Sequence, residues 1–236
     1  AVLGRMSAEL RQVFQAEGPA ALHAEDVDFE VLTSRPAIGG RMVEVAGLHG
    51  RYDELFLPLH GEVQAHNAAV AIAAVEAFFE RELDADLVRD GLALVRLEGR
   101  AEVISHQPLG ILDGAHNPDA LRALAAAVDD EFAAVGSRIV VLGLLGGRDP
   151  DAAVDAVREL RPDLVVCTTA DPDDRGLPAA ELAAACERAG LAHETVPMPG
   201  EAVVRALGQA QEEDLVVVTG SFRLLAPARR VISNSP

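Results

Sequence analysis

Apolar residues in the second half of the chain follow two alternating patterns. Short continuous apolar runs, such as residues 215–218, alternate with segments in which apolar residues recur every three or four positions, such as residues 118–134. This alternation predicts a Rossmann-like, mostly parallel sheet with helices on both faces, an α/β fold. The predicted strands are 102–105, 109–112, 138–145, 163–169, 193–196 and 214–219, and the predicted helices are 118–134, 151–160, 178–189, 200–211 and 222–232.

The first hundred residues have a different pattern. Glycines interrupt short strand-like runs, which could pair as a meander, and Pro58 suggests that its last strand lies at an edge. These runs offer little core of their own, so we expect them to complete a domain that begins upstream. We expect Gly99 to be a hinge. The predicted strands are 27–32, 42–45 and 55–59, and the predicted helices are 6–17, 64–79 and 84–95.

A strand-to-helix corner at residues 113–118 carries the strongest candidate chemistry. Asn117 is a good N-cap, and Pro118 suits the first position of a helix. Asp113 and His116 should then lie outside the carboxyl end of a strand, where open α/β sheets bind ligands. A histidine between a strand and a capped helix, close to an aspartate, favours a functional role over a place in the core.

Three other polar residues have both a structural and a functional interpretation. Ser221 follows a predicted strand and could cap a helix, contact an anion, or do both. Asn67 could simply cap the helix near it, and spacing alone favours that interpretation. Arg100 could be a solvated linker charge, or it could pair with Glu98 or Glu102.

Charge and composition narrow the range of partners. The net charge of −18 disfavours nucleic-acid backbones and anionic membranes as partners. All 20 basic residues are arginine, which excludes a complete Gly-x-x-x-x-Gly-Lys phosphate loop and a pyridoxal Schiff base within this chain. Any phosphate held by side-chain cations must therefore be held by arginine, whose planar fork suits it.

Cysteine usage and hydropathy give an expectation about location. Cys167 and Cys186 are too few for a disulfide framework and do not have zinc-site spacing. No apolar run approaches the roughly eighteen residues of a membrane span, and the start does not resemble a signal peptide. We therefore expect a cytoplasmic protein. Because the first residue is Ala1 rather than Met, we also expect that an upstream portion is missing.

Four short motifs, in this order, resemble those of the folylpolyglutamate synthase family. They are Gly-x-x-Gln-x-x-Asn at 61–67, Gly-Arg at 99–100, Asp-Gly-Ala-His-Asn-Pro at 113–118 and Thr-Gly-Ser at 219–221. The broader Mur ligase superfamily shares the architecture, but its peptidoglycan members usually have an aromatic residue where Gly114 stands. The small residue therefore favours the folate branch.

The resemblance covers essentially the whole chain and implies two domains. Residues 1–98 would be the trailing part of a central α/β ATPase domain, and residues 99–236 would be the C-terminal glutamate ligase domain. The implied reaction is an ATP-dependent amide ligation. A folate or dihydropteroate carboxylate takes the γ-phosphoryl group of ATP, and the amine of L-glutamate attacks the resulting acyl phosphate.

The resemblance also implies roles for single residues. Asn67 would contact the adenine, Arg100 the phosphates and Asp113 the nucleotide. His116 and Ser221 would lie near the incoming glutamate, and His116 and Asp113 are the candidate catalytic residues. The family further implies a monomer when full length and Mg²⁺ as cofactor, with the magnesium ligands upstream of this chain.

Some positions depart from the family pattern. Residues 63–64 are Val-Gln instead of His-Gln, residues 97–98 are Leu-Glu instead of Trp-Pro, and residues 147–149 are Gly-Arg-Asp instead of Asp-Lys-Asp. The family's phosphate loop, magnesium ligands and modified lysine are absent, so we expect the chain alone to be inactive. Two other functions stay open: a Mur-type ligase that adds an amino acid to a cell-wall precursor, and a noncatalytic nucleotide-binding remnant.

Overall fold

The computed structural model describes residues 1–132 and 136–232. The chain divides into two compact units, of which the first is Ala1–Arg96 and the second is Leu97–Pro236. None of the helices in the described part of the chain is long and apolar enough to cross a membrane.

The first unit combines a small antiparallel sheet with three helices. β3, β4 and β5 form the predicted meander in that order, and β1 pairs with β2 in parallel. The elements are β1 (Val2–Leu3), α1 (Ala8–Ala16), β2 (His23–Ala24), β3 (Glu30–Ala37), β4 (Gly40–Ala46), β5 (Arg51–Leu57), α2 (Glu62–Phe79) and α3 (Ala85–Ala93).

All three strands of the meander differ from the predicted ranges, and β4 extends beyond 42–45 at both ends. β3 begins at Glu30 because the preceding residues form a turn, in which the N–H groups of Val27 and Asp28 both donate to Ala24 O, at 3.2 and 2.9 Å. β5 ends before Pro58. Its edge position therefore comes from the strand order and not from the proline.

The first unit has a hydrophobic core that the meander shares with α2. One face of that helix buries small side chains against the sheet and completes the core. The buried cluster consists of Phe29, Val43, Val45, Tyr52, Leu55, Leu57, Leu59, Ala65, Ala68, Ala69, Ile72 and Ala73.

The second unit is built on a six-stranded sheet with the strand order β10-β9-β8-β11-β7-β6. All neighbouring strands are parallel except β6 and β7, which confirms the Rossmann-like, mostly parallel sheet. The elements are β6 (Glu102–His106), β7 (Leu109–Leu112), α4 (Pro118–Glu131), β8 (Arg138–Leu142), α5 (Pro150–Val157), a 3-10 turn (Arg158–Leu160), β9 (Leu164–Cys167), α6 (Ala179–Ala189), β10 (His193–Thr195), α7 (Pro199–Gln209), β11 (Leu215–Thr219), a second 3-10 turn (Phe222–Leu224) and α8 (Leu225–Ile232).

Helices cover both faces of this sheet, because its central strands are apolar on both sides. Along β11, Leu215 and Val217 pack into the core that includes α4, α5 and α6. Val216 and Val218 point the other way, into the core that includes α7 and α8. The alternation along one strand therefore explains the two-sided burial.

Several predicted elements of the second unit end earlier than expected. The strand predicted at 138–145 stops at Leu142, because the next residues leave the sheet and contact the loop after β9; Leu177 N donates to Leu144 O at 2.8 Å. The helix predicted at 118–134 ends at Glu131, and residues 133 and 134 lie outside the described residues.

The strand order determines which loops meet. β11 lies between β7 and β8, so the corner after β7 and the residues after β11 share one edge of the sheet. Parallel strands present their carboxyl ends at the same edge, which is where ligands bind in open α/β sheets.

Candidate ligand site at the sheet edge

Asp113 joins the corner after β7 to two other parts of the chain. Its own N–H donates to Val218 O at 3.0 Å, which ties the corner to β11. One carboxylate oxygen accepts the N–H of Ala115 at 2.6 Å, and the other accepts the N–H of Ala101 at 2.7 Å. The side chain is buried, and this burial raises the pKa of Asp113, against the opposing effect of the two backbone N–H donors.

The turn that carries Arg100 is unusual in its backbone. Gly99 and Ala101, on either side of Arg100, have φ angles of 65° and 45°. Gly114 N donates to Gly99 O at 2.8 Å, so the turn is tied directly to the corner after β7. The turn at the predicted hinge residue therefore lies at the sheet edge, where this hydrogen bond connects it to the corner.

Arg100 does not pair with its acidic neighbours. Glu98 and Glu102 both contact Arg229 of α8 instead. Within the described residues the guanidinium of Arg100 makes no ion pair or hydrogen bond; its carbon lies 4.9 Å from the centre of the Phe222 ring. The half-buried cation therefore keeps its N–H donors available for an anion.

Phe222 brings the corner and the Arg100 turn together, and sequence reasoning missed it. Its ring covers Gly114, where an added Cβ would lie only 2.4 Å from the ring carbon Cζ. The ring also lies 6.4 Å from that of His116, centre to centre. The only signal in the sequence is an aromatic residue directly after Ser221, in a chain with 3% aromatic residues.

His116 and Asn117 occupy the start of α4 in the predicted way. Asn117 caps the helix, since its side-chain oxygen accepts the N–H of Ala120 at 2.8 Å, and Pro118 lies in the first turn. His116 Nδ1 lies 3.1 Å from Gly114 O, a contact in which the ring nitrogen donates. In the neutral ring, Nε2 is then left as a proton acceptor beside a helix N-terminus.

Ser221 caps the short 3-10 turn that follows β11, which confirms the structural interpretation. Its Oγ accepts the N–H of Arg223 at 3.2 Å, and the side chain is buried. The hydroxyl still has its own proton to donate. Ser221 follows the carboxyl end of β11, which is the parallel neighbour of β7. It therefore lies at the same sheet edge as the corner after β7.

Asn67 lies in the first unit, on the second turn of α2. The helix begins at Glu62, with Gly61 as its N-cap, so the interpretation of Asn67 as a cap was wrong. The side chain is exposed, and its amide donates to Gln64 Oε1 at 3.1 Å. Its neighbour His66 has Nδ1 2.5 Å from Glu25 Oε1.

Potential metal ligands are not clustered at this edge, among the residues that the structure describes. In the part of the chain that the structure describes, no three His, Cys, Asp or Glu side chains are grouped so that they could hold a metal ion. Among the described residues, this edge offers the guanidinium of Arg100 and the ring of His116 on either side of Phe222, together with the hydroxyl of Ser221.

Comparison with known proteins connects this geometry to a family. A family model described as Mur ligase, glutamate ligase domain, matches residues 99–222. The dihydrofolate synthase/folylpolyglutamate synthase of Mycobacterium tuberculosis is 40% identical over 191 residues, which cover 78% of this chain and 39% of that protein.

Two solved structures are similar over nearly the whole chain. Mycobacterium tuberculosis folylpolyglutamate synthase complexed with ADP has a TM-score of 0.90 and 35% identity, covering 100% of this chain and 55% of the other. A bifunctional folylpolyglutamate synthase/dihydrofolate synthase with Mn, AMPPNP and L-glutamate bound has a TM-score of 0.81 and 28% identity, covering 99% and 53%. The chain thus spans about half the length of these relatives, or less.

Proposed function

The chain belongs to the Mur ligase family, and from that premise we propose that it is the carboxyl-terminal part of an ATP-dependent ligase that joins L-glutamate to a folate or dihydropteroate carboxylate. In this proposal residues 1–98 complete the central ATPase domain and residues 99–236 form the glutamate ligase domain. The chain spans only part of its relatives, so the reaction is that of the complete protein.

The observation that carries the proposal is the unpaired guanidinium of Arg100. A half-buried cation without an acidic partner is expensive unless it meets an anion. Arg100 is held at the carboxyl edge of the sheet, beside the start of α4 and on the ring of Phe222. Its planar fork can donate two hydrogen bonds to phosphoryl oxygens, which suits the charge that develops during phosphoryl transfer.

The other site residues would take the roles that the family resemblance implies. His116 and Ser221 would orient the incoming glutamate, the first through Nε2 and the second through its hydroxyl proton. His116 Nε2 can take a proton from the glutamate ammonium, so that the amine can attack the activated carboxylate. Asp113 would contact the nucleotide through the remaining lone pairs of its carboxylate, and Asn67 would contact the adenine.

The proposed reaction balances without a redox step. The folate carboxylate takes the γ-phosphoryl group of ATP, and ADP leaves. The amine of glutamate then attacks the acyl carbon and loses a proton, the bond between that carbon and the phosphate oxygen breaks, and phosphate leaves with one of the two former carboxylate oxygens. The contribution of this chain is to hold the phosphate and the amine in one orientation, which makes the attack effectively intramolecular. We assign no magnesium ligand to this chain, because the family resemblance implies that those ligands lie upstream of it.

The complete protein should form ADP over many turnovers only when both a folate and L-glutamate are present. Activity with a UDP-muramoyl acceptor and none with dihydropteroate or tetrahydrofolate would instead indicate a peptidoglycan ligase. ATP that is bound but not turned over with either acceptor would indicate a noncatalytic remnant.

Arg100→Ala gives the residue-level test in the complete protein. Loss of hydrogen bonds to a charged phosphate should lower kcat/KM for ATP by roughly 10- to 100-fold. Arg138→Ala is the control, because the Arg138 guanidinium already donates hydrogen bonds to Asp129 Oδ1 and to Leu160 O, each at 2.9 Å. Equal kcat/KM values in the two variants, at matched thermal stability, would refute the role of Arg100.

A further inference from the structure

The turn that carries Arg100 needs support from outside itself. Ala101 has a φ of 45°, a left-handed conformation that an alanine rarely adopts, and it is buried. Gly99 is also left-handed, and a Cβ there would lie 2.3 Å from Leu225 Cδ1. Glycine adopts this conformation readily, but a left-handed alanine costs free energy and persists only where the surroundings hold it.

Two carboxylates hold this turn by its backbone N–H groups. Asp113 accepts the N–H of Ala101, as described above, and Glu102 Oε2 accepts the N–H of Gly99 at 2.7 Å. The same oxygen of Glu102 accepts a hydrogen bond from Arg229 Nη2, which reaches it from α8. Glu102 is thus clamped between α8 and the turn, and its side chain is 25% exposed.

We propose that Glu102 and Arg229 form a positioning pair for Arg100: Arg229 orients the Glu102 carboxylate, the carboxylate anchors Gly99, and the anchored turn directs the Arg100 guanidinium at the ligand. Neither residue of the pair touches Arg100 or the ligand. The inference rests on the proposed function, since it assigns to Arg100 the task of meeting a phosphate.

The raised pKa of Arg229 is consistent with a close pair, because its largest cause is the hydrogen bond to Glu102. The geometry carries the argument, however. A pair that merely joined α8 to β6 would not require the carboxylate to accept the Gly99 N–H as well. The shared oxygen links the two contacts, so a change at Arg229 should reach the turn.

Glu98 provides a matched control within the same cluster. It is also acidic and lies 3.6 Å from Arg229, but its side chain is 81% exposed. In the described residues it makes no hydrogen bond to the turn's backbone. Glu98→Ala removes a charge near Arg229 and leaves the Gly99 anchor in place, whereas Glu102→Ala removes both.

The position of Arg100 can be measured by NMR in the 236-residue chain without any assay of activity. The Arg100 side-chain N–H signal, identified by its loss in Arg100→Lys, should be shifted by the ring of Phe222. We expect this shift to be reduced in Glu102→Ala and kept in Glu98→Ala. Glu102→Gln, which retains a carbonyl acceptor for Gly99, should restore most of it, and Arg229→Gln should be intermediate.

Kinetics of the complete protein supply a second measurement. Glu102→Ala should raise the KM for ATP about tenfold while the KM for glutamate stays within about twofold. Glu98→Ala should change both values by less than about twofold. A purely structural role would instead lower the amount of folded protein, which thermal unfolding detects, and would leave the ratio of the two KM values unchanged.

The outcomes separate this inference from the proposed function. Equal Arg100 shifts in folded Glu102→Ala and Glu98→Ala would overturn the positioning pair, whatever the protein's activity. If the shifts differ but the complete protein does not ligate glutamate, the proposed function fails and the anchoring of the turn stands. If glutamate is ligated but the KM for ATP is the same in the two variants, the pair does not serve the reaction and the inference fails.

Discussion

Gly114→Ala should destabilise the second unit only while Phe222 is present. The new methyl carbon would lie 2.4 to 2.6 Å from three carbons of the Phe222 ring, much closer than a van der Waals contact. Gly114 does not have a left-handed φ, so the alanine itself fits the backbone. The ring is 43% exposed, and it can relieve the clash by turning into solvent.

The expected change in the free energy of unfolding follows from the burial and the stacking that the displaced Phe222 ring loses. Full burial of a phenylalanine is worth about 1.5–3 kcal/mol, and a little over half of this ring is buried, so its displacement costs roughly 1 kcal/mol. The stacking of Arg100 adds about 0.5 kcal/mol. Alanine restricts the unfolded chain more than glycine does, and this effect raises the free energy of unfolding by about 0.5 kcal/mol. We therefore expect Gly114→Ala to lower the free energy of unfolding by about 1 kcal/mol.

A double-mutant cycle isolates the contact. In a Phe222→Ala background the methyl group has room, and Gly114→Ala should raise the free energy of unfolding by about 0.5 kcal/mol. The coupling between the two positions is then about 1.5 kcal/mol, measured by urea unfolding followed by circular dichroism. Gly208→Ala in α7, where a Cβ meets nothing within 4 Å, is the control and should stabilise. Additive effects of the two changes, within about 0.3 kcal/mol, would refute the packing of Phe222 on Gly114.

Other predictions concern buried polar groups. Tyr52→Phe should lower the free energy of unfolding of the first unit by about 1–3 kcal/mol, because the hydroxyl donates to Glu76 at 2.7 Å and accepts Leu83 N–H at 2.9 Å. Burial raises the pKa of Tyr52 to about 12, above its ordinary value of 10.0, so this contribution should be present below pH 10 and be lost as the pH rises toward 12. Urea unfolding across that range should show a steeper loss in the wild type than in Tyr52→Phe; parallel curves would contradict the assignment. Asp113→Asn should destabilise by about 1–3 kcal/mol at pH 7, since an amide has one acceptor oxygen for two backbone N–H donors. Asp119→Asn, at a side chain that is 99% exposed, should change the free energy of unfolding little, and an equal effect would rule out the buried acceptor role.

Local sequence signals predicted the second unit well because its elements are stabilised locally. Asn117 and Pro118 start α4 where their capping chemistry requires, and the uninterrupted apolar run of β11 is a strand buried on both faces. In the first unit the start of β3 depends on a turn whose backbone N–H groups donate to Ala24 O. A short apolar pattern does not reveal such a turn. The same limit explains Asn67, because Gly61 starts α2 earlier than the helical spacing suggested.

The candidate site was only partly predictable, since its geometry comes from contacts between distant segments. Charge proximity along the chain suggested that Arg100 pairs with Glu98 or Glu102. The left-handed turn instead leaves those carboxylates to Arg229, far away in sequence. Phe222 escaped notice for the same reason, because only the strand order brings it over the corner after β7.

A crystal structure of the complete protein with a nonhydrolysable ATP analogue and L-glutamate tests the central claim most directly. We expect a nitrogen of the Arg100 guanidinium within about 3 Å of a phosphoryl oxygen, and His116 and Ser221 within hydrogen-bond distance of the glutamate. The account would be contradicted if both ligands were bound while Arg100 stayed on Phe222, without a phosphate contact, and the glutamate lay away from His116 and Ser221.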